Sequence, residues 1–268
     1  MNTTSLDVVA ASLCRIMGIE APAKAAAPSP AMLEYADTVF EGAAADRVLM
    51  YNPDAIGQWI FEKYPTLFKE AVARTELQLP LRSPMPSVTP VCFASMYSGL
   101  QPEEHGIQKY EKPTLQAETV FDTAIRAGKK VAIVAYHTCT ISKIFRERDM
   151  EYFTYGTLEE VHAKVAELII NDTYDLIVVH AWNYDSVMHK FGPESVEALS
   201  EARVNSEAYA LLDALVQTYW TKHNVFMGFA MDHGCHEIGG DCGSHGLDMP
   251  EDLNIVHLYK AYKKKIGG

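Results

Sequence analysis

Val225-Phe226-Met227-Gly228-Phe229-Ala230-Met231-Asp232-His233-Gly234 is an apolar run that ends abruptly in a carboxylate and an imidazole. A continuous apolar stretch of this length, without polar alternation, reads as a strand buried on both faces. The loop behind it is different in kind. Asp232, His233, Cys235, His236, Asp241, Cys242 and His245 fall among glycines 234, 239, 240, 243 and 246. Glycine turns tightly and accepts positive φ, so side chains far apart in the chain can converge on one point. A polar loop at the end of a buried strand is where open α/β sheets build their sites.

Other runs of the same kind lie upstream. Arg47–Tyr51, Lys130–Tyr136 and Tyr174–Ala181 are near-continuously apolar, and Thr75–Leu79, Glu151–Tyr155 and Asn254–Tyr259 are weaker strand candidates. Between them lie helical patterns at Glu118–Ala127, Thr157–Asn171 and Pro193–Tyr219, with another over Ser5–Met17. Thr89-Pro90 opens a helix that stops at Ser98-Gly99, with Thr at the N-cap, Pro at the first position and Gly past the end. Ala21–Pro30 is rich in Ala and Pro and reads as a surface linker. Alternating strands and helices with apolar strands predict an α/β fold: a doubly wound, mostly parallel sheet with helices on both faces. One domain over residues 1–268 is the economical expectation, with 1–45 an N-terminal helix and Ala/Pro-rich segment.

The chain carries 23 Lys and Arg against 35 Asp and Glu, a formal charge of −12. That balance argues against a nucleic-acid polymer or an anionic membrane surface as partner. An acidic protein that handles an anionic substrate needs local positive charge, which bound metal ions supply. Cysteines 14, 92, 139, 235 and 242 are odd in number and irregular in spacing, so no disulfide framework is expected. No apolar run reaches membrane-spanning length, and the N-terminus lacks a basic leader region, so a cytoplasmic location is expected.

The polar residues of interest stand where predicted strands end. Asp54 follows the first strand, Thr89 follows the second, Asp185 and His189 follow the run ending at Ala181, and Asp232, His233 and His245 follow Met231. Singly, each has an ordinary explanation. Asp54 and Thr89 can cap helices, Asp185 and His189 can form an i, i+4 surface pair, and His233 can bond a backbone carbonyl. Jointly, at the carboxyl ends of a parallel sheet, they form a ligand set. Carboxylate oxygen and imidazole nitrogen suit zinc, with manganese the alternative. The set is too large for one catalytic ion but natural for two, which ~3.5–4 Å apart hold both oxygens of a phosphoryl displacement. A Thr hydroxyl beside such ions is a usable nucleophile, and a helix start would offer N–H groups to phosphate.

These residues resemble the alkaline phosphatase superfamily, most closely its nucleotide pyrophosphatase/phosphodiesterase branch. Asp54-Ala55-Ile56-Gly57 is similar to the first aspartate motif, and Pro86-Ser87-Val88-Thr89-Pro90 to the nucleophile block. Asp185-Ser186-Val187-Met188-His189-Lys190-Phe191-Gly192-Pro193 resembles Asp-x-x-Gly-His-x-x-Gly-Pro, and Asp232-His233-Gly234 and Ser244-His245-Gly246 resemble the last two ligand motifs. The resemblance implies that Asp185, His189 and His245 hold one divalent ion, and Asp54, Thr89, Asp232 and His233 the other. It further implies that Thr89 attacks phosphorus, giving a phospho-threonine that water hydrolyses. The expected substrate is small and phosphorylated: a phosphodiester or nucleotide pyrophosphate, with a monoester also in the class.

Ala55 and Met188 stand where the family pattern has glycine, and the chain has little room for a cap between Gly99 and Asp185. A metal-dependent phosphotransferase or mutase of the same superfamily is the enzymatic alternative. A non-catalytic protein with a closed zinc site at Cys235, His236, Cys242 and His245 is the other, although its cysteine spacing is loose. Otherwise Cys235, His236, Asp241 and Cys242 are expected to be scaffolding, and His105 part of a turn.

Overall fold

The computed structural model describes residues 1–265. Its strands are β1 (Arg47–Pro53), β2 (Leu77–Arg82), β3 (Val131–Tyr136), β4 (Glu151–Tyr155) and β5 (Leu176–Ala181). They continue with β6 (Val225–Ala230), β7 (His236–Ile238), β8 (Cys242–Ser244) and β9 (Asn254–Tyr262). Seven of these form a sheet in the order β2-β9-β6-β1-β5-β3-β4, and β7 and β8 pair separately.

Strand β1 lies at the centre, parallel to β5 on one side and β6 on the other. Its burial from Val48 to Pro53 explains the unbroken apolar run. Strands β5 and β6 are buried throughout for the same reason. Successive residues of a strand point to opposite faces, and β1 shows what covers each face. The Tyr51 hydroxyl reaches His162 and Asn205 on helices Leu158–Asn171 and Val196–Tyr219. Asn52 next to it meets Met96 and Tyr97 on helix Thr89–Ser98. The sheet is therefore layered by helices on both sides, as the sequence pattern predicts.

Three boundaries differ from the sequence reading. Strand β2 runs from Leu77 to Arg82 rather than Thr75 to Leu79, and so contains Pro80. Proline is tolerated there because β2 is the edge strand of the sheet, paired with β9 on one side and touched on the other by the N-terminal segment at Arg82. Strand β9 extends to Tyr262 and is antiparallel to both β6 and β2. The linker ends at Ser29: Pro30–Phe40 is a helix, with Ser29 accepting from the Met32 N–H and Pro30 at the first position.

The reversal of β9 decides where the strand ends fall. Because β9 opposes β6 and β2 opposes β9, strands β2, β6, β1 and β5 all point one way. Their carboxyl ends, and the residues behind them, therefore share one edge of the sheet. Among the described residues no helix is long and apolar enough to cross a membrane.

Candidate active site

Each predicted site residue arrives at that shared edge on its own element. Asp54 directly follows β1, and Asp232 and His233 follow β6. Thr89 is the first residue of helix Thr89–Ser98, reached through the loop behind β2. Asp185 and His189 lie one turn apart on helix Asn183–Phe191, which follows β5. The β7–β8 hairpin folds back so that His245, just past β8, rejoins them.

Two clusters result. In the first, Asp54, Asp232 and His233 place ligand atoms within 4.8 Å of one another, all buried. His233 Nε2 is 3.3 Å from Asp54 Oδ1 and 3.5 Å from Asp232 Oδ2. The Thr89 hydroxyl stands against this group, 3.2 Å from His233 Nε2 and 3.4 Å from Asp54 Oδ1. In the second, Asp185 Oδ1 lies 3.2 Å from His189 Nε2 and 3.4 Å from His245 Nε2. This cluster is the open one: the His189 side chain is 42% exposed, against 0% for His233. The clusters abut, with the His233 and His245 ring centroids 4.3 Å apart.

The backbone aims the three imidazoles. His189 Nδ1 is 2.9 Å from the Gly243 carbonyl, His233 Nδ1 2.9 Å from that of Gly234, and His245 Nδ1 3.2 Å from that of Ser87. A carbonyl can only accept, so in each neutral ring Nδ1 carries the proton and Nε2 turns a lone pair inward. This is the outer-shell arrangement that fixes metal-ligating histidines.

Electrostatics points the same way. Burial, then the neighbouring Asp232 and Asp185, push Asp54 up to about 6, with His180 opposing. Burial raises Asp232 to about 7. Burial, reinforced by His245, lowers His233 to about 4. For Asp185 burial acts upward, but His189 and His245 outweigh it and hold the carboxyl below its usual range. Asp185 in turn raises His189 to about 8. The ion-pair partners of all three carboxylates are histidines. Asp185 Oδ1 and Asp232 Oδ2 are buried without a well-aligned hydrogen bond. Unsatisfied carboxylate oxygens converging with imidazole lone pairs are the donor set that divalent cations fit.

The local chain is shaped around these groups. Ala55 adopts φ +62°, a left-handed conformation, and its N–H lies 3.2 Å from Asp232 Oδ1. That is why the family pattern favours glycine there. Met188 is accommodated by Gly243, where an added Cβ would sit 2.6 Å from the Met188 sulfur.

Some expectations need correction. Thr89 is not an N-cap: Val88 occupies that position, and no side chain caps the helix. Nor does the helix start present a row of N–H groups. Pro90 has none, and those of Val91 and Cys92 are taken by the Val88 carbonyl. The alternative Cys2His2 site is not assembled. Cys235 faces the Tyr184 hydroxyl at 3.6 Å, His236 Nδ1 lies 2.8 Å from Asp252 Oδ1, and Cys242 sits near the Gly240 carbonyl. His105 Nε2 lies 3.0 Å from Ser95 Oγ, in keeping with a turn role.

Sequence reading missed two residues. His180, inside β5, has Nε2 2.9 Å from Asp54 Oδ2. Its signal was a titratable side chain in an otherwise apolar run. Buried Asp252 accepts from the Leu247 N–H at 2.8 Å as well as meeting His236, so it ties both arms of the β7–β8 segment. Nothing local marked it.

Residues 51–247 match the type I phosphodiesterase / nucleotide pyrophosphatase family, and the chain belongs to it. This places it in the nucleotide pyrophosphatase/phosphodiesterase-like branch of the alkaline phosphatase superfamily. No curated protein matches the chain in sequence. Among solved structures, murine ectonucleotide pyrophosphatase / phosphodiesterase 5 superposes with a TM-score of 0.60 at 18% identity, covering 72% of this chain and 58% of that one. An inactive threonine-to-alanine variant of the murine protein, in complex with AMP, also has a TM-score of 0.60 at 18% identity, covering 73% of this chain and 59% of that one. The human protein gives 0.57 at 17% identity, over 72% and 58%. The chain thus spans 58% of the length of the murine protein, and the likeness is one of fold.

Proposed function

We propose that the protein hydrolyses small phosphoric esters of the phosphodiester or nucleotide pyrophosphate kind, with Thr89 as nucleophile. The observation that carries this reading is the position of Thr89 Oγ1, 3.2 Å from His233 Nε2 and 3.4 Å from Asp54 Oδ1, against the buried cluster that the open one adjoins. Asp54, Asp232 and His233, with Thr89, would hold one divalent ion, and Asp185, His189 and His245 the other. Zinc suits this mixed nitrogen and oxygen set, and manganese is the alternative. Such ions, when bound, neutralise phosphate charge and favour the ionised hydroxyl.

The chain's own groups do the remaining work. The Thr89 hydroxyl donates toward the Asp54 carboxylate, which holds Oγ1 in place beside the buried cluster. In the first half-reaction an Oγ–P bond forms, the P–O bond to the leaving group breaks, and the Thr89 proton is passed in net terms to the leaving oxygen. In the second, the oxygen of water bonds to phosphorus as the Oγ–P bond breaks, and a proton from that water returns to Thr89 Oγ1. The exposed His189 leaves the substrate side of the open cluster accessible, while Asp185 and His245 lie deeper. AMP bound to the inactive threonine-to-alanine variant of the murine protein supports a nucleotide-bearing substrate and a threonine nucleophile.

The test is Thr89→Ala, assayed on bis-p-nitrophenyl phosphate and p-nitrophenyl phosphate with metal content measured in parallel. Turnover is expected to fall by about a thousandfold or more while most bound metal is retained. Wild-type turnover in that variant would show that Thr89 is not the nucleophile.

A further inference from the structure

His180 is 2% exposed, and its ring stands edge-on to Phe93 at 5.2 Å. It is paired in register with Asn52, two residues before Asp54, across the β1–β5 ladder. Its one well-formed hydrogen bond runs from Nε2 to Asp54 Oδ2, at 2.9 Å. An ionised carboxylate only accepts, so Nε2 carries the proton. The other nitrogen, Nδ1, is buried without a hydrogen bond. Packing and the neighbouring Cys139 side chain hold the ring, and its closest directional contact is the one to Asp54.

We infer that His180 is a positioning residue for the buried ion site: it pins Asp54 Oδ2 and thereby turns Oδ1 toward His233. The inference deepens the two-ion reading above and rests on it. The consequence of the contact is visible in the asymmetry of the carboxylate. Oδ2 meets His180 at 2.9 Å, while Oδ1 stands 3.3 Å from His233 Nε2; Thr89 Oγ1 lies between the two oxygens, at 3.4 and 3.5 Å. The Asp54 N–H, bonded to the Ala181 carbonyl at 3.0 Å, anchors the same residue from the backbone side. The three ligand imidazoles are aimed by backbone carbonyls; Asp54 alone of the buried cluster is held through its side chain by another side chain on the sheet. Removing the donor frees the carboxylate to rotate, which weakens the ion it would share with Asp232 and His233. The open cluster does not contain Asp54 and should be untouched.

The experiment compares wild type, His180→Phe and His180→Gln. His180→Phe keeps a ring of similar bulk against Phe93 and removes the donor; His180→Gln restores an N–H donor. Zinc is titrated into metal-free protein against a chromophoric chelator, and the thermal midpoint of each protein is recorded in EDTA. The expected result for His180→Phe is an affinity loss of about 10–100-fold at one of two sites, the other unchanged. Its midpoint in EDTA should stay near that of wild type. Turnover of bis-p-nitrophenyl phosphate should fall in step and recover with excess zinc, and His180→Gln should regain part of both. Two tight sites in His180→Phe would overturn the role of His180 while leaving the proposed function intact. So would a uniform loss at both sites with a lowered midpoint in EDTA, which marks a merely structural residue. Uptake of a single ion by wild type would overturn the two-ion reading and this inference with it.

Discussion

His189 Nε2 lies 3.1 Å from His245 Nε2, although the two residues are 56 positions apart in the chain. Two lone pairs cannot face each other at that distance, so without a cation one ring must carry a proton between them. Asp185, which both rings address, makes that proton favourable and raises His189 to about 8. Asp232, raised by burial to about 7, is likewise part-protonated at neutral pH. Ligands bind divalent ions in their deprotonated forms, so uptake must expel these protons. At pH 7 roughly one to two protons per chain should be released on zinc binding, falling toward none by pH 9. Zinc affinity should accordingly rise as pH increases through the window between about 6 and 8. Calorimetric titration at pH 7 in two buffers of different ionisation heat measures the release. Equal heats in both buffers would contradict the proton accounting.

The clusters differ in burial, and that difference separates their variants. Asp185→Asn removes charge from the open cluster and Asp232→Asn from the buried one. Each should lose about one equivalent of metal, with turnover falling at least about a hundredfold. Asp232→Asn should also fold well without metal, because it relieves a carboxylate that burial already disfavours. Elemental analysis and thermal melts in EDTA distinguish the two. A single variant that emptied both sites would mean that the clusters are not independent.

Much of this site was legible because its chemistry demands particular side chains at the ends of apolar strands. Asp54, Asp185 and Asp232 each follow a run whose burial is visible in sequence, and His233 follows at once. What stayed hidden depends on contacts between distant segments. The direction of β9 is set by pairing with β6 and β2, and nothing in Asn254–Tyr262 states it. Pro80 argued against the strand that contains it, because edge position is a property of the sheet and not of the residue. His180 went unmarked inside its apolar strand, because it meets Asp54 only through the pairing of β5 with β1, which sets it opposite Asn52. Asp252 is 16 residues from the His236 that it meets and carries no motif.

Ala55 stores strain that a single substitution should release. Its φ of +62° is left-handed, and the residue is fully buried beside Asp54. An alanine there costs roughly 1 kcal/mol relative to glycine, part of which is offset by the extra freedom of glycine in the unfolded chain. Ala55→Gly should therefore raise stability by about 0.5–1 kcal/mol, or a few °C in Tm. A clear fall in Tm would show that the buried methyl group contributes more by packing than the backbone loses by strain.

Gly234 should tolerate no side chain at all. A Cβ built there would lie 1.9 Å from the Glu251 carbonyl oxygen, 2.9 Å from the Gly57 Cα and 3.0 Å from the Glu251 carbonyl carbon. All three are backbone atoms, so no rotamer change can relieve the contact, and the chain must move. The Gly234 N–H also donates to the Asp252 carbonyl at 2.8 Å, and its own carbonyl receives His233 Nδ1–H at 2.9 Å. Any shift at residue 234 is thus passed directly to the His233 imidazole. Gly234→Ala should cost about 3 kcal/mol or more and lower metal occupancy in whatever fraction folds. Gly239→Ala is the matched control, since nothing lies within 4 Å of its added Cβ. That variant should stay within about 0.5 kcal/mol of wild type. Chemical denaturation of both variants, with metal content measured on the folded protein, decides the matter. If Gly234→Ala unfolded at the wild-type denaturant midpoint, the backbone contact around the Asp232-His233-Gly234 turn would not be what holds His233 in place.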